Sequence, residues 1–207
     1  MGGADAVHHH PRPVGPFGGT AVGDGCSFTL SEGANCVEPS IELDEEAYPV
    51  LVVAREFVPD TAGPGKHRGG PATRLVVAPQ TGVEMIYQLD QCRFPTQGVL
   101  GGGTGARASI TVHRGGLESW ASGADLPQAE VISGFAYSES GAPAPSEDEP
   151  GTEFRNSKGA GKPFAAGDVI AVHLPGGGGY GDPAERDPEA LRKDIRDGLV
   201  TPGADGW

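Results

Sequence analysis

Three basic side chains in a glycine-rich segment are the residues best suited to chemistry. Lys66, His67 and Arg68 lie within residues 59–70, which read Pro-Asp-Thr-Ala-Gly-Pro-Gly-Lys-His-Arg-Gly-Gly. The forked guanidinium of Arg68 suits a carboxylate or a phosphorylated substrate better than an ammonium group would. The alternatives are a charged turn fixed by backbone geometry, or an anchor in which Arg68 pairs with a carboxylate such as Asp60. These three basic residues are the catalytic candidates, and the neighbouring glycines are candidates for a substrate-binding loop: Gly63, Gly65, Gly69 and Gly70.

A second glycine segment, residues 176–181, reads Gly-Gly-Gly-Gly-Tyr-Gly, and shorter glycine runs lie at 18–19 and 101–105. All of them lie at the ends of apolar, β-branched runs. The backbone there is therefore expected to take a positive φ or to approach another segment closely. The second segment adds five substrate-loop candidates: Gly176, Gly177, Gly178, Gly179 and Tyr180.

Other kinds of site find no support in the motifs. A phosphate-binding loop needs Ser or Thr after its Lys, and neither Gly65-Lys66-His67 nor Gly161-Lys162-Pro163 has one. The chain has no Gly-x-Ser-x-Gly elbow and no pair of histidines at helical metal-ligand spacing. We therefore expect no metal site and no cofactor in this chain. The remaining histidines and cysteines are expected to be structural or solvated: His8–His10, His113, His173, Cys26, Cys36 and Cys92.

The elements that must position these residues are mostly strands. Five runs of strand length are rich in β-branched residues and are bounded by Gly, Pro or Asp: 48–57, 72–78, 83–89, 107–113 and 168–174. One helix is predicted after Asp187, with Pro188 at its first position and Gly198 at its end. We expect Leu191, Ile195 and Leu199 to dock it on the sheet as an apolar stripe. The predicted fold is mainly β, with long glycine-rich loops and one C-terminal helix.

Composition and charge limit the partners. The chain has 207 residues, enough for one domain with a core, and 28 acidic against 15 basic residues give a net charge of −13. This charge argues against nucleic acid and anionic membranes as partners, since both are bound by clustered Lys and Arg. Without a signal-peptide pattern, a cytoplasmic protein is expected. We divide it into a flexible arm at 1–16 and a domain at 17–207, which includes an acidic, Pro/Gly-rich loop at 138–163.

The order of the motifs resembles the hydantoinase B/5-oxoprolinase family, to which subunits of acetone and acetophenone carboxylases belong. The resemblance covers residues from about 17 to 203 and includes 18–25 (Gly-Gly-Thr-Ala-Val-Gly-Asp-Gly), 60–70 and 93–95 (Arg-Phe-Pro). Its specific blocks are 65–70 (Gly-Lys-His-Arg-Gly-Gly) and 176–183 (Gly-Gly-Gly-Gly-Tyr-Gly-Asp-Pro). It implies the C-terminal part of a hydantoinase B-like fold. The family's His and Asp ligands for a divalent metal belong to a preceding N-terminal portion, which has no counterpart here. The start at Met1 indicates a separately encoded piece.

The resemblance implies partners and cofactors on other chains. An N-terminal hydantoinase B-like subunit would carry the divalent metal (Mn, Zn or Fe). A hydantoinase A-like subunit would bind ATP and Mg and phosphorylate the substrate oxygen. Both family reactions stabilise a developing oxyanion, for which the N–H groups of glycine turns are good donors. The isolated chain is expected to be inactive.

The resemblance leaves three functions open. The first is a non-autonomous subunit of a hetero-oligomeric, ATP-dependent ketone carboxylase of the acetone or acetophenone type. The second is a subunit of an ATP-dependent hydantoinase or 5-oxoprolinase, which hydrolyses a cyclic amide. The third is a non-catalytic scaffold that completes a partner's fold. The division of a hydantoinase B chain into separate pieces favours the first.

Overall fold

The computed structural model describes residues 15–29, 40–135, 154–204 and 206–207. Within these ranges the chain forms three α-helices and seven β-strands. The helices are α1 (Ile41–Ala47), α2 (Leu117–Ser122) and α3 (Pro188–Arg196). The strands are β1 (Val50–Phe57), β2 (Thr73–Pro79), β3 (Val83–Gln88), β4 (Ser109–His113), β5 (Ala129–Ser133), β6 (Lys158–Phe164) and β7 (Val169–His173).

Five strands form one antiparallel sheet in the order β1-β2-β7-β4-β5. The central strand, β7, is buried at all five positions, as its unbroken run Val-Ile-Ala-Val-His requires. On one face of the sheet, Val169 and Ala171 of β7 pack near Leu117 and Trp120 of α2. Helix α2 therefore covers the centre of the sheet on this face with apolar side chains.

The other face is covered by a second, two-stranded sheet in which β3 pairs antiparallel with β6. The buried residues Ile110, Val112, Ile170 and Val172 of the larger sheet share one core with Phe164 of β6. Half-buried residues of β3 pack against this core: Val83, Met85 and Tyr87. This sheet-on-sheet layer is the main hydrophobic core of the described residues.

Four glycine-containing segments pack together without forming a sheet, and we call residues 17–19, 61–70, 97–106 and 176–181 the glycine bundle. Gly177 N–H donates to Gly70, Gly179 N–H donates to Gly103, and the carbonyl of Gly178 accepts from Gly19. Successive residues of 176–181 thus bond to different neighbours, which makes this segment a central rod surrounded by the other three. Such threefold bonding is typical of extended chains with three residues per turn.

Close approach, rather than a positive φ, explains most glycines of the bundle. A Cβ added to Gly69 would overlap the carbonyl oxygen of Gly177, and one added to Gly177 would overlap that of Phe17. Neither residue has a positive φ. Backbone therefore packs directly on backbone, and any side chain at these positions would force the segments apart.

The five predicted strands are confirmed, with ends that differ by one or two residues. The sequence analysis missed β5, β6 and the short helices α1 and α2. Residues 158–163, placed in the loop at 138–163, lie instead in β6, because pairing with β3 overrides the weak strand propensity of Lys-Gly-Ala-Gly-Lys-Pro. Residues 1–14 of the predicted arm and residues 136–153 of the predicted loop lie outside the described residues.

Helix α3 begins as predicted but docks differently. Asp187 caps it by accepting a hydrogen bond from the N–H of Glu189, and Gly198 follows its end with a φ of 74°. The buried residue of this helix is Asp194, whereas Leu191 and Ile195 of the predicted apolar stripe are only half-buried. The helix is therefore held by a charged group where an apolar stripe was expected.

Candidate functional site

The two predicted glycine segments meet at His67 and Tyr180. The N–H of His67 donates to the carbonyl of Tyr180 at 3.0 Å, and the N–H of Tyr180 donates back to His67 at 2.8 Å. Their rings lie 6.4 Å apart, tilted by 39°, and both residues are half-buried. The structure thus brings an imidazole and a phenol together at the surface of the glycine bundle.

Lys66 lies at the exposed side of this pair. Its ammonium group is 3.2 Å from a carboxylate oxygen of Glu185, and both side chains are largely exposed, at 48% and 62%. An ion pair in this setting is weak, because water screens it. Lys66 is therefore available to exchange Glu185 for another anion.

Arg68, in contrast, is buried. Its Nε donates to Asp194 of α3 at 3.0 Å, and its Nη1 donates to the carbonyl of Gly69 at 2.9 Å. Asp60, the carboxylate named in the sequence analysis, instead accepts hydrogen bonds from the N–H and hydroxyl of Thr201. The geometry thus favours the anchor interpretation of Arg68 and corrects its partner from Asp60 to Asp194.

Three buried charged side chains and one partly exposed carboxylate, that of Asp24, form the anchor, which we call the buried charge cluster: Arg68, Asp194, Arg186 and Asp24. Arg186 bonds both carboxylates, with its Nη2 at 2.9 Å from Asp24 Oδ2 and also donating to Asp194. The ring of Trp207 lies over Arg186, 5.6 Å from its guanidinium carbon. These bonds join the loop that carries Asp24, the turn at 66–68 and helix α3. The two positive charges balance the two negative ones, so the cluster buries no excess charge.

The pKa shifts in the cluster follow from this pairing. Burial raises the pKa of Asp24, but its bonds to Arg186 and to the N–H of Arg68 outweigh burial and leave the pKa below its usual value. Burial lowers the pKa of Arg186, and Asp24 and Asp194 more than reverse that effect. Both groups therefore remain charged at neutral pH.

The sequence analysis missed three members of the cluster as functional residues. Asp24 and Arg186 lie in or beside the glycine motifs, but their partners are far away along the chain. Asp194 carried the one usable signal, because a carboxylate three residues after Leu191 and beside Ile195 interrupts the helix's apolar face.

The substrate-loop glycines lie in the bundle with many of their N–H groups already bonded. Gly63 donates to Gly177 at 2.8 Å, Gly69 donates to Gly63 at 3.0 Å, and Gly176 donates to Ala106 at 2.9 Å. Gly70 donates to Phe17. These four amides already have carbonyl acceptors, so an oxyanion would have to displace bonds that hold the bundle together.

The other candidate residues lie apart from this surface. His173 is buried at the end of β7, and burial, reinforced by the charge of Arg74, lowers its pKa to about 3. The Nδ1 of His113 lies 2.6 Å from the carbonyl oxygen of Pro127. Cys92 is buried and its pKa is raised by burial, whereas Cys26 is exposed. His8–His10 and Cys36 lie outside the described residues.

The described part of the chain offers neither a metal-binding cluster nor a membrane-spanning helix. No three His, Cys, Asp or Glu side chains there lie close enough together to hold a metal ion. No helix in that part is long and apolar enough to cross a membrane.

The chain belongs to the hydantoinase B/oxoprolinase family, whose model matches residues 6–183. It is 29% identical over 210 residues to the acetone carboxylase alpha subunit of Xanthobacter autotrophicus, covering 94% of this chain and 25% of that subunit. It is 28% identical over 165 residues to the caprolactamase subunit beta of Pseudomonas jessenii, covering 78% of this chain and 23% of that subunit.

A solved structure of nucleotide-free acetone carboxylase has the same fold, with a TM-score of 0.64 at 24% identity over 94% of this chain and 28% of that one. The resemblance to the hydantoinase B fold is thereby confirmed. The chain spans about a quarter of the length of the curated relatives it matches.

Proposed function

We propose that this chain is a non-autonomous subunit of a hetero-oligomeric, ATP-dependent ketone carboxylase, in which it completes a hydantoinase B-like catalytic subunit. The observation that carries the proposal is the fraction of each chain that aligns with the other. Nearly the whole chain, 94%, aligns with only 25% of the acetone carboxylase alpha subunit. A region that is one part of a larger subunit in a relative is expected to act here together with the remaining parts.

The surface groups where the two glycine segments meet form the contribution of this chain to a shared active site. Lys66, His67 and Tyr180 supply an ammonium group, an imidazole and a phenol on one surface. Such groups stabilise an anionic substrate or transfer a proton to it. Arg68 fixes the position of the turn from the interior side, by its hydrogen bond to Asp194 in the buried charge cluster.

The cofactors of the reaction lie on other chains in this proposal. ATP and Mg belong to a hydantoinase A-like subunit, which activates the substrate oxygen by phosphorylation. A divalent metal belongs to an N-terminal hydantoinase B-like subunit. The neighbouring coding sequences provide a first test, because a biotin-independent carboxylase set with a small zinc-binding subunit supports carboxylation, and a simple pair of hydantoinase-like chains supports hydrolysis.

Hydrolysis of a cyclic amide is the second candidate, since the caprolactamase subunit beta matches at nearly the same identity, 28%. The bonded amides of the glycine bundle also favour a third role, a scaffold subunit with no catalytic group. The proposal of shared catalysis differs from the scaffold in one respect: it requires side chains of this chain to affect turnover.

The deciding experiment uses the assembly purified from cells that encode the chain, through a tag on this chain. The assembly is incubated with Mg-ATP and either acetone or acetophenone with labelled bicarbonate, or a lactam, a hydantoin or 5-oxoproline. Labelled carboxylate product supports the carboxylase, and ring-opened product supports the hydrolase. Tyr180→Phe and His67→Ala should lower turnover at least tenfold in an assembly of unchanged composition, whereas unchanged turnover in both variants identifies a scaffold.

A further inference from the structure

An exposed apolar turn lies beside the surface formed by Lys66, His67 and Tyr180. Val99 is 53% exposed and Leu100 is 74% exposed, although both are aliphatic. The turn is tied to the central rod of the glycine bundle, since the N–H of Val99 donates to Gly179 at 3.0 Å and its carbonyl accepts from Gly181 at 3.0 Å. Val99 also lies in register with Tyr180. The apolar turn and the basic turn thus flank Tyr180 from two sides.

Leu100 adopts a conformation that a leucine rarely takes. Its φ is 52°, in the left-handed region, where Gly and Asn are favoured over residues with a bulky side chain. The neighbouring hydrogen bonds of Val99 hold the backbone in this shape. Leu100 therefore has both an exposed apolar side chain and a strained backbone, within a turn that the N–H of Gly102 closes by donating to the carbonyl of Val99 at 3.0 Å. Strain of this kind is concentrated at functional sites.

We infer that Val99 and Leu100 are the docking turn for the missing part of a hydantoinase B-like polypeptide, and that they seat in an apolar pocket on it. The inference rests on the proposed function. The partner that covers the turn is inferred from the length of the relatives, because about three-quarters of each relative's chain lies outside the region that it shares with this chain. A rigid, protruding aliphatic pair is the kind of anchor that such an interface buries.

Docking at this turn also explains how the shared site is assembled. Tyr180 bonds to His67 on one side and lies beside Val99 on the other. A partner seated on Val99 and Leu100 would cover the edge of the surface that carries Lys66 and His67. The catalytic groups of the partner would then face those of this chain across a closed, partly dry cleft.

The test compares the same substitution at two aliphatic residues that are similarly exposed in wild type. Ile86, on β3, is 70% exposed and is the matched control for Leu100. The tagged chain is purified from the organism that encodes it, as wild type, Leu100→Asp and Ile86→Asp, and the bound polypeptides are identified by mass. We expect wild type and Ile86→Asp to retain a polypeptide with the missing hydantoinase B-like portion, and Leu100→Asp to lose at least nine-tenths of it.

Leu100→Gly separates docking from folding, because it removes the side chain and relieves the strained φ together. Its Tm should equal or exceed that of wild type, while its affinity for the partner falls at least tenfold. If wild type retains no such polypeptide, the proposed function itself fails. If wild type retains it and both Leu100 variants retain it equally well, or Ile86→Asp loses it to the same extent, the docking turn is wrong and the proposed function stands.

Discussion

Replacing Arg68 by lysine tests whether this residue is an anchor or a catalytic group. The substitution keeps the positive charge but removes the planar fork that reaches Asp194 and the carbonyl of Gly69 at once. A buried acceptor left without its donor costs about 1–3 kcal/mol. The side chains of Arg68 and Asp194 are only 9% and 4% exposed, so water offers little compensation. We expect Arg68→Lys to lower the free energy of unfolding by about 2–3 kcal/mol.

The companion variant Asp194→Asn should be more damaging. It leaves Arg68 and Arg186 with the single carboxylate of Asp24, and breaking a buried ion pair from one side costs about 3–5 kcal/mol. The double variant should be less destabilised than the sum of the two single variants by about 1–3 kcal/mol, since the two residues contact each other directly. Arg192→Lys is the control, because Arg192 and its partner Glu189 are 65% and 67% exposed and the change should stay within about 0.5 kcal/mol.

Urea unfolding of the chain, or of its complex if the chain requires one, gives the free energies, and turnover is measured on the same preparations. For a chain of this length, 1 kcal/mol corresponds to roughly 2–4 °C in Tm, so the expected loss for Arg68→Lys is easily resolved. Turnover per assembled complex should remain near that of wild type. A loss of turnover by ten-fold or more with an unchanged Tm would refute the anchor interpretation and place Arg68 in the shared active site.

Three further predictions concern the glycine bundle, the sheet and the cofactors. Gly177→Ala should lower the free energy of unfolding by more than about 3 kcal/mol in a urea titration, because the added Cβ would overlap backbone atoms. The control is Gly82→Ala, whose Cβ would have nothing within 4 Å, and it should change that free energy by less than about 1 kcal/mol. The unfolded chain binds a proton at His173 between about pH 6.5 and 3 that the folded chain excludes. Wild type should therefore lose stability as pH falls through this range, by up to about 1.4 kcal/mol per unit, and His173→Gln should show a shallower slope. Calorimetry on the isolated chain should detect no micromolar binding of Mg-ATP, Mn or Zn, and a micromolar dissociation constant for any of them would contradict the assignment of these cofactors to partner chains.

The strands were predictable because local pattern and tertiary role agree in them. Val169–His173 is apolar up to its last residue and forms the buried centre of the sheet. Lys158–Phe164 is a strand only because β3 offers it a pairing edge, and no local pattern reveals a partner at least 70 residues away along the chain. The N-cap of α3 was also visible, since capping depends on neighbouring residues alone.

The site was predictable in position but not in chemistry. The sequence marks the 63–70 and 176–181 segments as places of close approach, and the structure brings them together at His67 and Tyr180. It could not show that the guanidinium of Arg68 points inward, because its partner, Asp194, is 126 residues away along the chain. A burial direction of this kind is decided by tertiary contacts, which residue type and spacing do not encode.

The glycine bundle has a thermodynamic consequence that distinguishes it from the rest of the fold. Its segments exclude water by packing amides on amides, so unfolding it exposes mostly polar surface. Polar exposure lowers the heat capacity of the chain, by roughly 0.26 cal/K/mol per Å², where apolar exposure raises it. The two-sheet core should therefore weaken on cooling, while the bundle keeps its strength. Near 0 °C the slowest-exchanging amide protons should be those of Gly177 and Gly179 in the central rod, where backbone packs directly on backbone.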